Sequence, residues 1–302
     1  MKRFSTILLV TAALLVAAVS CNKEGNEPEG KMAVLNYDVN LSEEATKALG
    51  DGSAVDKLAC AVYDGETLYA NATVDKTDGK FTYAPSLYYG KTYTVVFFAY
   101  KDAAYAVSND LKTITRSGNG EIADAFTYKE TVKINADGTL TIYGAASPET
   151  ASNHSVTLTR PFAQLNIGTE SLDDMDNVGA TAVKVTLAGC AANYSALEDD
   201  ASGTTTVTYT STVSDFTANK FTVNSKEYSL VSLNYLFAAD NVTATIEVLR
   251  EEEVIRTITM DSVPLKANQK TNIYGNLVKG ELTFNVSISE GFKTPDNNKQ
   301  IE

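Results

Sequence analysis

Residues 132–142, VKINADGTLTI, decide the fold class of this chain. Apolar side chains occupy alternate positions on both sides of Asp137-Gly138, a dipeptide that is typical of tight hairpin turns. The apolar residues of 132–134 are therefore predicted to face those of 140–142 across two antiparallel strands. The period of two indicates β-structure, because an amphipathic helix would repeat its apolar residues every three to four positions.

The same alternation recurs on the N-terminal side of this hairpin. Two further turns are predicted at Asp64-Gly65 and Asp78-Gly79. These turns join three strands, at Leu58–Tyr63, Thr67–Val74 and Phe81–Tyr83. Residues Thr92–Tyr100 are mostly apolar, which predicts a strand that is buried on both faces. The first strand of the series has its apolar residues at Leu35, Tyr37, Val39 and Leu41.

Eight more strands are predicted on the C-terminal side, a number that fits a second β-sandwich. They span Val156–Ile167, Val183–Ala188, Thr204–Thr210, Leu230–Phe237, Ala244–Arg250, Val254–Met260, Thr271–Leu277 and Leu282–Ile288. One short helix is predicted among them at Leu172–Val178. Ser171 is its expected N-cap, acidic residues fill its first turn, and Gly179 is its expected stop.

Small and polar residues interrupt the strand pattern at 145–155, where Pro148 also lies. We therefore place a domain boundary there. The sequence predicts an all-β fold with an N-terminal β-sandwich at 33–150 and a C-terminal β-sandwich at 151–302, the latter holding the one helix.

Residues 1–20 are predicted to be an export signal. Lys2 and Arg3 precede a largely apolar run from Ile7 to Val19, which is too short to span a bilayer stably. The sequence AVSC, at residues 18–21, resembles a bacterial lipobox, in which the cysteine is lipidated and becomes the N-terminus after cleavage. Cys21 is therefore the predicted lipidation site. Ordinary signal cleavage, with Cys21 incidental, is the alternative.

The residues that follow, 21–32, are predicted to be a polar tether that holds the domains off the membrane. Lys23 and the acidic residues after it are also similar to the surface-export signal of Bacteroidales lipoproteins.

Composition excludes several kinds of function. The chain has 302 residues and a net charge of -13, which argues against nucleic acid and against electrostatic binding to an anionic membrane. A single histidine excludes a His-rich metal site. Three cysteines are too few for a disulfide framework in a chain of this length, and we expect Cys60 and Cys190 to be buried free thiols.

No catalytic residue, metal site or cofactor is predicted. The only imidazole, His154, lies in the presumed linker, where we expect a solvated side chain. The sequence contains none of the motifs of serine hydrolases, zinc hydrolases or nucleotide-binding loops. The acidic groups at 173–176, 198–200 and 251–253 lack the spacing of a calcium loop and are expected on the surface. A carboxylate pair for glycoside hydrolysis stays open, because no pattern selects two among 38 acidic residues.

Three stretches carry a family resemblance: TKALGDG (46–52) with the strand after it, LTRPFAQLNIG (158–168) and KTNIYGNL (270–277). Together they resemble the fimbrillin superfamily, the subunits of type V pili of Bacteroidales. The first resembles the family's maturation junction and first retained strand. The second resembles the opening strand of its C-terminal domain, and the third resembles the stretch before its last strands.

The resemblance implies two β-sandwich domains of Greek-key or transthyretin-like type in a lipidated precursor. In that family an Arg-specific protease removes the first strand, and a strand of an incoming subunit fills the open groove. By resemblance, the cut falls between Lys47 and Ala48, with Lys in place of the family's Arg. The displaced strand would be the one that carries Leu35, Tyr37, Val39 and Leu41.

A candidate donor strand alternates its apolar residues at Leu282, Phe284, Val286 and Ile288. It either inserts into a neighbouring subunit or completes its own C-terminal sandwich. In the second case the chain accepts a strand but gives none, as a tip or accessory subunit would.

The leading hypothesis is a non-enzymatic subunit of a surface fimbrium with an adhesive or structural role. Its expected partners are other pilus subunits and, through Cys21 before maturation, the lipid of the outer membrane. The alternative is a lipid-anchored surface protein that captures a glycan or a host protein and does not polymerise. A surface glycosidase is a third hypothesis, without a catalytic constellation to support it.

Overall fold

The structure of the chain is a computed structural model. It describes residues 30–42, 52–117, 124–144, 149–150, 154–213, 219–279, 285–290 and 299–300. Contacts group Met32–Glu302 into one compact unit. The described residues form 25 strands and one short helix in several sheets, which build sandwich-like domains, and the prediction of an all-β fold is confirmed.

Thirteen strands precede residue 159. They are β1 (Met32–Val34), β2 (Tyr37–Leu41), β3 (Lys57–Asp64), β4 (Thr67–Asp75), β5 (Phe81–Tyr83), β6 (Ser86–Tyr88), β7 (Thr92–Tyr100), β8 (Tyr105–Val107), β9 (Ile114–Arg116), β10 (Ala125–Ile134), β11 (Thr139–Ile142), β12 (Glu149–Thr150) and β13 (His154–Leu158). A six-stranded sheet has the order β12-β11-β10-β7-β3-β4, a three-stranded sheet has the order β13-β2-β5, and β1 pairs with β6. The predicted hairpins β3–β4 and β10–β11 are confirmed, with Ile134 opposite Leu140 in the second.

The six-stranded sheet is covered on both faces. Val95, Phe97 and Ala99 of β7 point into one core, together with β2, β5 and β13. Val96 and Phe98 point into a second core that also contains the C-terminal strands. We call the first the N-terminal core and the second the central core. The prediction that Thr92–Tyr100 is buried on both faces is confirmed from Val95 onward, and this double burial explains its mostly apolar sequence.

The C-terminal half adds twelve strands and the helix. They are β14 (Phe162–Thr169), α1 (Leu172–Asn177), β15 (Ala182–Cys190), β16 (Asn193–Ser195), β17 (Asp200–Ser202), β18 (Thr205–Thr212), β19 (Lys220–Val223), β20 (Lys226–Phe237), β21 (Ala239–Arg250), β22 (Glu253–Leu265), β23 (Gln269–Gly275), β24 (Asn285–Glu290) and β25 (Lys299–Gln300). One sheet has the order β19-β20-β14-β23-β24-β25 and another the order β18-β15-β21-β22. A small sheet, β17-β16-β9-β8, contains strands of both halves.

The helix forms as its sequence predicts. The Ser171 hydroxyl accepts a hydrogen bond from the Asp174 backbone N–H at 3.1 Å, which satisfies one of the amide groups left open at a helix N-terminus. Gly179 follows the helix with a φ of +67°, a conformation that favours glycine. Met175 is its buried residue and attaches the helix to the central core.

One predicted strand is divided in the structure, and another is shorter than predicted. The predicted strand at Val156–Ile167 is two strands, β13 and β14, which belong to different sheets. Pro161 lies between them, and its missing N–H prevents a continuous ladder. The predicted first strand, with apolar residues from Leu35 to Leu41, is shorter in the structure, because β2 begins at Tyr37 and Leu35 lies between β1 and β2. Because β13 pairs with β2, the polypeptide passes to the C-terminal sheets only after residue 158; the predicted division at residue 150 stays a prediction.

Both thiols that the structure describes, Cys60 and Cys190, are buried and free, as predicted. Burial raises the pKa of Cys60 well above its ordinary value and raises the pKa of Cys190 to about 11. We therefore expect neither thiol to react with a thiol-specific reagent at pH 8 in the folded protein, whereas both react after unfolding in urea. Rapid labelling of Cys60 without urea would contradict the packing of the N-terminal core.

Candidate functional site

The candidate site is the place where residues 32–41 pack in the N-terminal half of the chain. We call these residues the first segment. β2 pairs in parallel with β13 and antiparallel with β5, and β1 pairs antiparallel with β6. Between the two short strands, the Leu35 N–H donates to the Pro85 carbonyl at 3.0 Å. The His154 N–H donates to the Asn36 carbonyl at 2.8 Å. The first segment lies between β5, β6 and β13, above the side chains of the core. We call this binding site the groove.

The side chains of the first segment alternate strictly between the core and solvent. Leu35, Tyr37 and Val39 are 0%, 1% and 3% exposed, and all three lie in the N-terminal core. The intervening even-numbered side chains are exposed, and Leu41 is half-buried. Burial of each large apolar side chain stabilises a fold by about 1.5–3 kcal/mol, so the segment is an integral part of this sandwich.

The strands that hold the first segment come from distant parts of the chain. Tyr37 lies opposite Tyr83 of β5 on one side and opposite His154 of β13 on the other. A parallel neighbour such as β13 cannot be joined to β2 by a short hairpin, and here more than a hundred residues separate the two. After a cut between β2 and β3, the segment would therefore be held only by non-covalent contacts.

A polar cluster lies beneath the middle of the first segment. The Tyr37 hydroxyl donates to Glu130 Oε1 at 2.8 Å, and the Tyr128 hydroxyl donates to Glu130 Oε2 at 3.3 Å. His154 Nε2 lies 2.9 Å from Glu130 Oε2, and the Glu130 side chain is only 3% exposed. The Tyr37 ring also meets the rings of Phe97 and His154 edge-on. Buried carboxylates require such partners, because an unpaired one loses its hydration without compensation.

The two tyrosines remain hydroxyl donors at neutral pH. Burial, followed by the nearby charge of Glu130, raises the pKa of Tyr37 well above its ordinary value. The same two causes, in the same order, raise the pKa of Tyr128 to about 12. Both hydroxyls are therefore protonated at neutral pH and can donate to Glu130.

One substitution pair tests whether the segment is packed as described. Leu35→Ala removes a fully buried side chain, and we expect it to lower the free energy of unfolding by about 2–5 kcal/mol. Val34→Ala changes the adjacent residue, which is 52% exposed, and should cost less than about 0.5 kcal/mol. Urea titration of both variants measures the difference. Equal effects of the two substitutions would contradict the alternation.

A buried ion pair lies beside Gly52, which precedes β3 in the chain. Arg160 donates from Nε and one terminal nitrogen to the two oxygens of Asp124, at 2.9 Å and 2.7 Å. Both side chains are almost fully buried, and the guanidinium lies 4.7 Å from the centre of the Phe126 ring. The nearby Gly52 backbone N–H lowers the pKa of Asp124. Burial raises the pKa of Asp124, and the hydrogen bonds from Arg160 act in the opposite direction.

Both the backbone conformation of Gly52 and the lack of space for a side chain favour glycine at this position. Its φ is +70°, and a Cβ at this position would lie 3.2 Å from both Leu41 Cδ1 and a Phe126 ring carbon. The end of the first segment, Gly52 and the Arg160–Asp124 pair therefore form one contiguous cluster. We call this cluster the junction.

Several residues of the predicted site lie outside the described residues: Cys21, Lys47, Ala48, Leu282 and Phe284. Val286 and Ile288 belong to β24, whose backbone pairs with β23 on one side and β25 on the other. The structure brings Leu35, Tyr37, Val39 and Leu41 together in the groove, while their displacement remains a prediction.

The prediction that His154 is a solvated linker residue is wrong. His154 is 6% exposed, and its ring contacts Glu130 and Tyr37, because residue 154 begins a buried strand and does not belong to a linker. Sequence reasoning also missed Glu130. Each residue occupies an inward position of a period-two series, His154 with Val156 and Leu158, and Glu130 with Val132. A charged residue in an apolar series was the signal that could have found both.

Among the described residues, no three His, Cys, Asp or Glu side chains converge as a metal site. Asp174 of the acidic group at 173–176 binds Lys279 and Asn276, and Asp199 accepts a hydrogen bond from Tyr194. None of the described helical residues form a span long and apolar enough to cross a membrane.

Two solved structures share the fold. A fimbrial assembly protein from Parabacteroides distasonis has a TM-score of 0.50 and 12% identity, over 90% of this chain and 100% of that chain. A Bacteroides thetaiotaomicron protein, described as one of the proposed polysaccharide-binding proteins (DUF1812), has a TM-score of 0.52 and 9% identity, over 89% and 98%. At such identities the likeness concerns the fold alone. No curated protein matches the sequence.

The sheets, with the first segment packed between their strands, thus define an all-β protein that consists of two halves. Its fold is that of these two structures. A family model, described as "Family of unknown function (DUF6562)", matches residues 29–302. The chain belongs to this family.

Proposed function

We propose that the protein is a non-enzymatic subunit of a surface fimbrium, which is completed by a strand of another subunit. The observation that carries the proposal is the first segment. It supplies three buried side chains to the N-terminal core, yet its neighbouring strands all come from remote parts of the sequence. Such a segment can leave after one cut in the chain, and its departure opens a sheet on two sides.

Maturation is proposed to proceed from a lipidated precursor. Cys21 would carry the lipid that attaches the precursor to the outer membrane, and cleavage between Lys47 and Ala48 would release both the lipid and the first segment. The junction supports this order of events, because Gly52 lies against the Phe126 ring and beside Asp124, both of which belong to the part of the chain that would be kept. The fold shared with a fimbrial assembly protein agrees with the proposal.

The C-terminal strand bears on the role within the fimbrium. β24 lies between β23 and β25 in a sheet of its own domain. This pairing favours the hypothesis in which Leu282–Ile288 completes the C-terminal sandwich. A chain of this kind accepts a strand and gives none, so we propose a tip or accessory position for it.

Controlled cleavage tests the proposal. The chain 21–302 would be treated with a lysine-specific protease, beside a Lys47→Gln variant that lacks the proposed cut site. We expect the cut chain to lose its first segment and to associate with subunits or with added strands, as seen by sedimentation. The variant should stay monomeric. A chain that is cut at Lys47 and still remains a monomer with its segment bound would contradict strand exchange.

The second candidate is a lipid-anchored binding protein that captures a glycan or host protein. The network around Glu130 favours it, because it holds the first segment firmly in an intact chain. This hypothesis predicts that protein from the native membrane retains a lipidated Cys21, and that the uncut monomer binds its ligand.

A further inference from the structure

We propose that Glu130 makes the groove selective for a strand with a tyrosine opposite residue 154. The proposal rests on the proposed function and names the chemistry of the partner strand. The partner would carry the pattern apolar-x-Tyr-x-apolar, as residues 35–39 of this chain do. The tyrosine would donate its hydroxyl to Glu130, and the flanking apolar side chains would enter the N-terminal core.

The distribution of partners around Glu130 supports this selectivity. Its Oε2 faces Tyr128 and His154, both of which belong to strands that stay when the first segment leaves. Its Oε1 accepts from Tyr37, which leaves with the segment. The Glu130 side chain is buried, so departure of Tyr37 removes a donor that water replaces only while the groove is open.

The chemistry of an incoming strand then decides how well it binds. A phenylalanine at the Tyr37 position fills the same volume but leaves Oε1 buried without the donor, which is costly. A serine or threonine hydroxyl ends several ångströms short of Oε1, because the tyrosine reaches the carboxylate with the full length of its ring. Binding with a shift of two residues would place Leu35 or Val39 of such a strand over Glu130, so the carboxylate also fixes the register.

The same argument disfavours the chain's own C-terminal strand as the occupant. Its apolar series is Leu282, Phe284, Val286 and Ile288, without a tyrosine among them. The opposite phase would direct Thr283, Asn285 and Ser287 into the apolar core. The C-terminal strand of a second copy of this chain is therefore a poor donor for the groove.

Peptide exchange measures the selectivity. A sequence-specific protease site would replace residues 43–49 of the chain 21–302, and a labelled peptide of residues 30–42 would occupy the cut protein. We expect the Tyr37→Phe peptide to compete about tenfold or more weakly than the native peptide, and a peptide of residues 280–290 to compete still more weakly. In a Glu130→Met host, the native and Tyr37→Phe peptides should differ by less than about threefold. Equal competition by both peptides in the unaltered host would overturn the proposal.

A second measurement does not depend on strand release. In the uncut chain 21–302, a double-mutant cycle with Tyr37→Phe and Glu130→Met gives the coupling between the two side chains. We expect a coupling of about tenfold in the folding equilibrium, and its absence would overturn the selectivity whatever the peptides do. If the cut segment never exchanges but the coupling is present, the proposed strand exchange fails, while the preference of Glu130 for a tyrosine stands.

Discussion

Removal of the first segment is expected to lower the free energy of unfolding by roughly 5–9 kcal/mol, at about 1.5–3 kcal/mol for each of three buried side chains. Leu35, Tyr37 and Val39 supply that burial, and each packs against strands that remain. Domains have a total stability of about 5–15 kcal/mol, so a chain of residues 48–302 should not persist as a stable monomer. It is expected to unfold at low urea or to associate through the open groove.

Urea titration and sedimentation of chains 48–302 and 21–302 check this result. A peptide of residues 30–47 should restore the stability of the shorter chain, because it returns the same side chains to the same groove. A Val39→Asp version of that peptide is the control, since it would bring a charge into the N-terminal core. A monomeric 48–302 chain with undiminished stability would contradict the account.

Arg160→Ala is expected to lower the free energy of unfolding by about 3–5 kcal/mol, because it leaves the buried Asp124 carboxylate without its counter-charge. Lys220→Ala is the matched control. It breaks the Lys220–Glu227 ion pair, in which both side chains are mostly exposed, and should cost less than about 1 kcal/mol. Thermal or urea unfolding of the two variants measures the contrast, and a similar cost for both would mean that the junction is not buried.

The cost of Arg160→Ala should also depend on pH. Burial raises the pKa of Asp124 above its unfolded value, and loss of Arg160 removes the hydrogen bonds that oppose this shift. A carboxyl with a raised folded pKa favours the folded state below its unfolded pKa and loses that contribution as pH rises through the folded pKa. We therefore expect the variant to be closest to the parent chain near pH 4 and to fall behind it as pH rises toward 7. A cost that grows on acidification would contradict this assignment.

Much of the fold could be predicted because local signals were strong. Asp137-Gly138 fixes a hairpin through its backbone preference, and Ser171 and Gly179 bound the helix through capping. The mostly apolar sequence of Thr92–Tyr100 indicated its double burial. Each of these features is set by neighbouring residues, which sequence patterns describe well.

The remaining features depend on contacts between distant residues. Nothing near His154 in the sequence indicates that Glu130 and Tyr37 surround it, since the three come from three separate strands. Pro161 can be read from the sequence, but only the strand pairing shows that it lies between β13 and β14, which belong to different sheets. Periodicity assigns a residue to a face, whereas the partner across a core comes from topology.

The most direct test of assembly by strand exchange is to identify the N-terminus of the protein in fimbriae isolated from the cell surface. Mass spectrometry of the isolated fimbriae would identify it. We predict an unmodified Ala48, with the segment that carries Leu35, Tyr37 and Val39 absent from the assembled chain. A lipidated Cys21 on every assembled chain would mean that the first segment stays in its groove, and would contradict assembly by strand exchange.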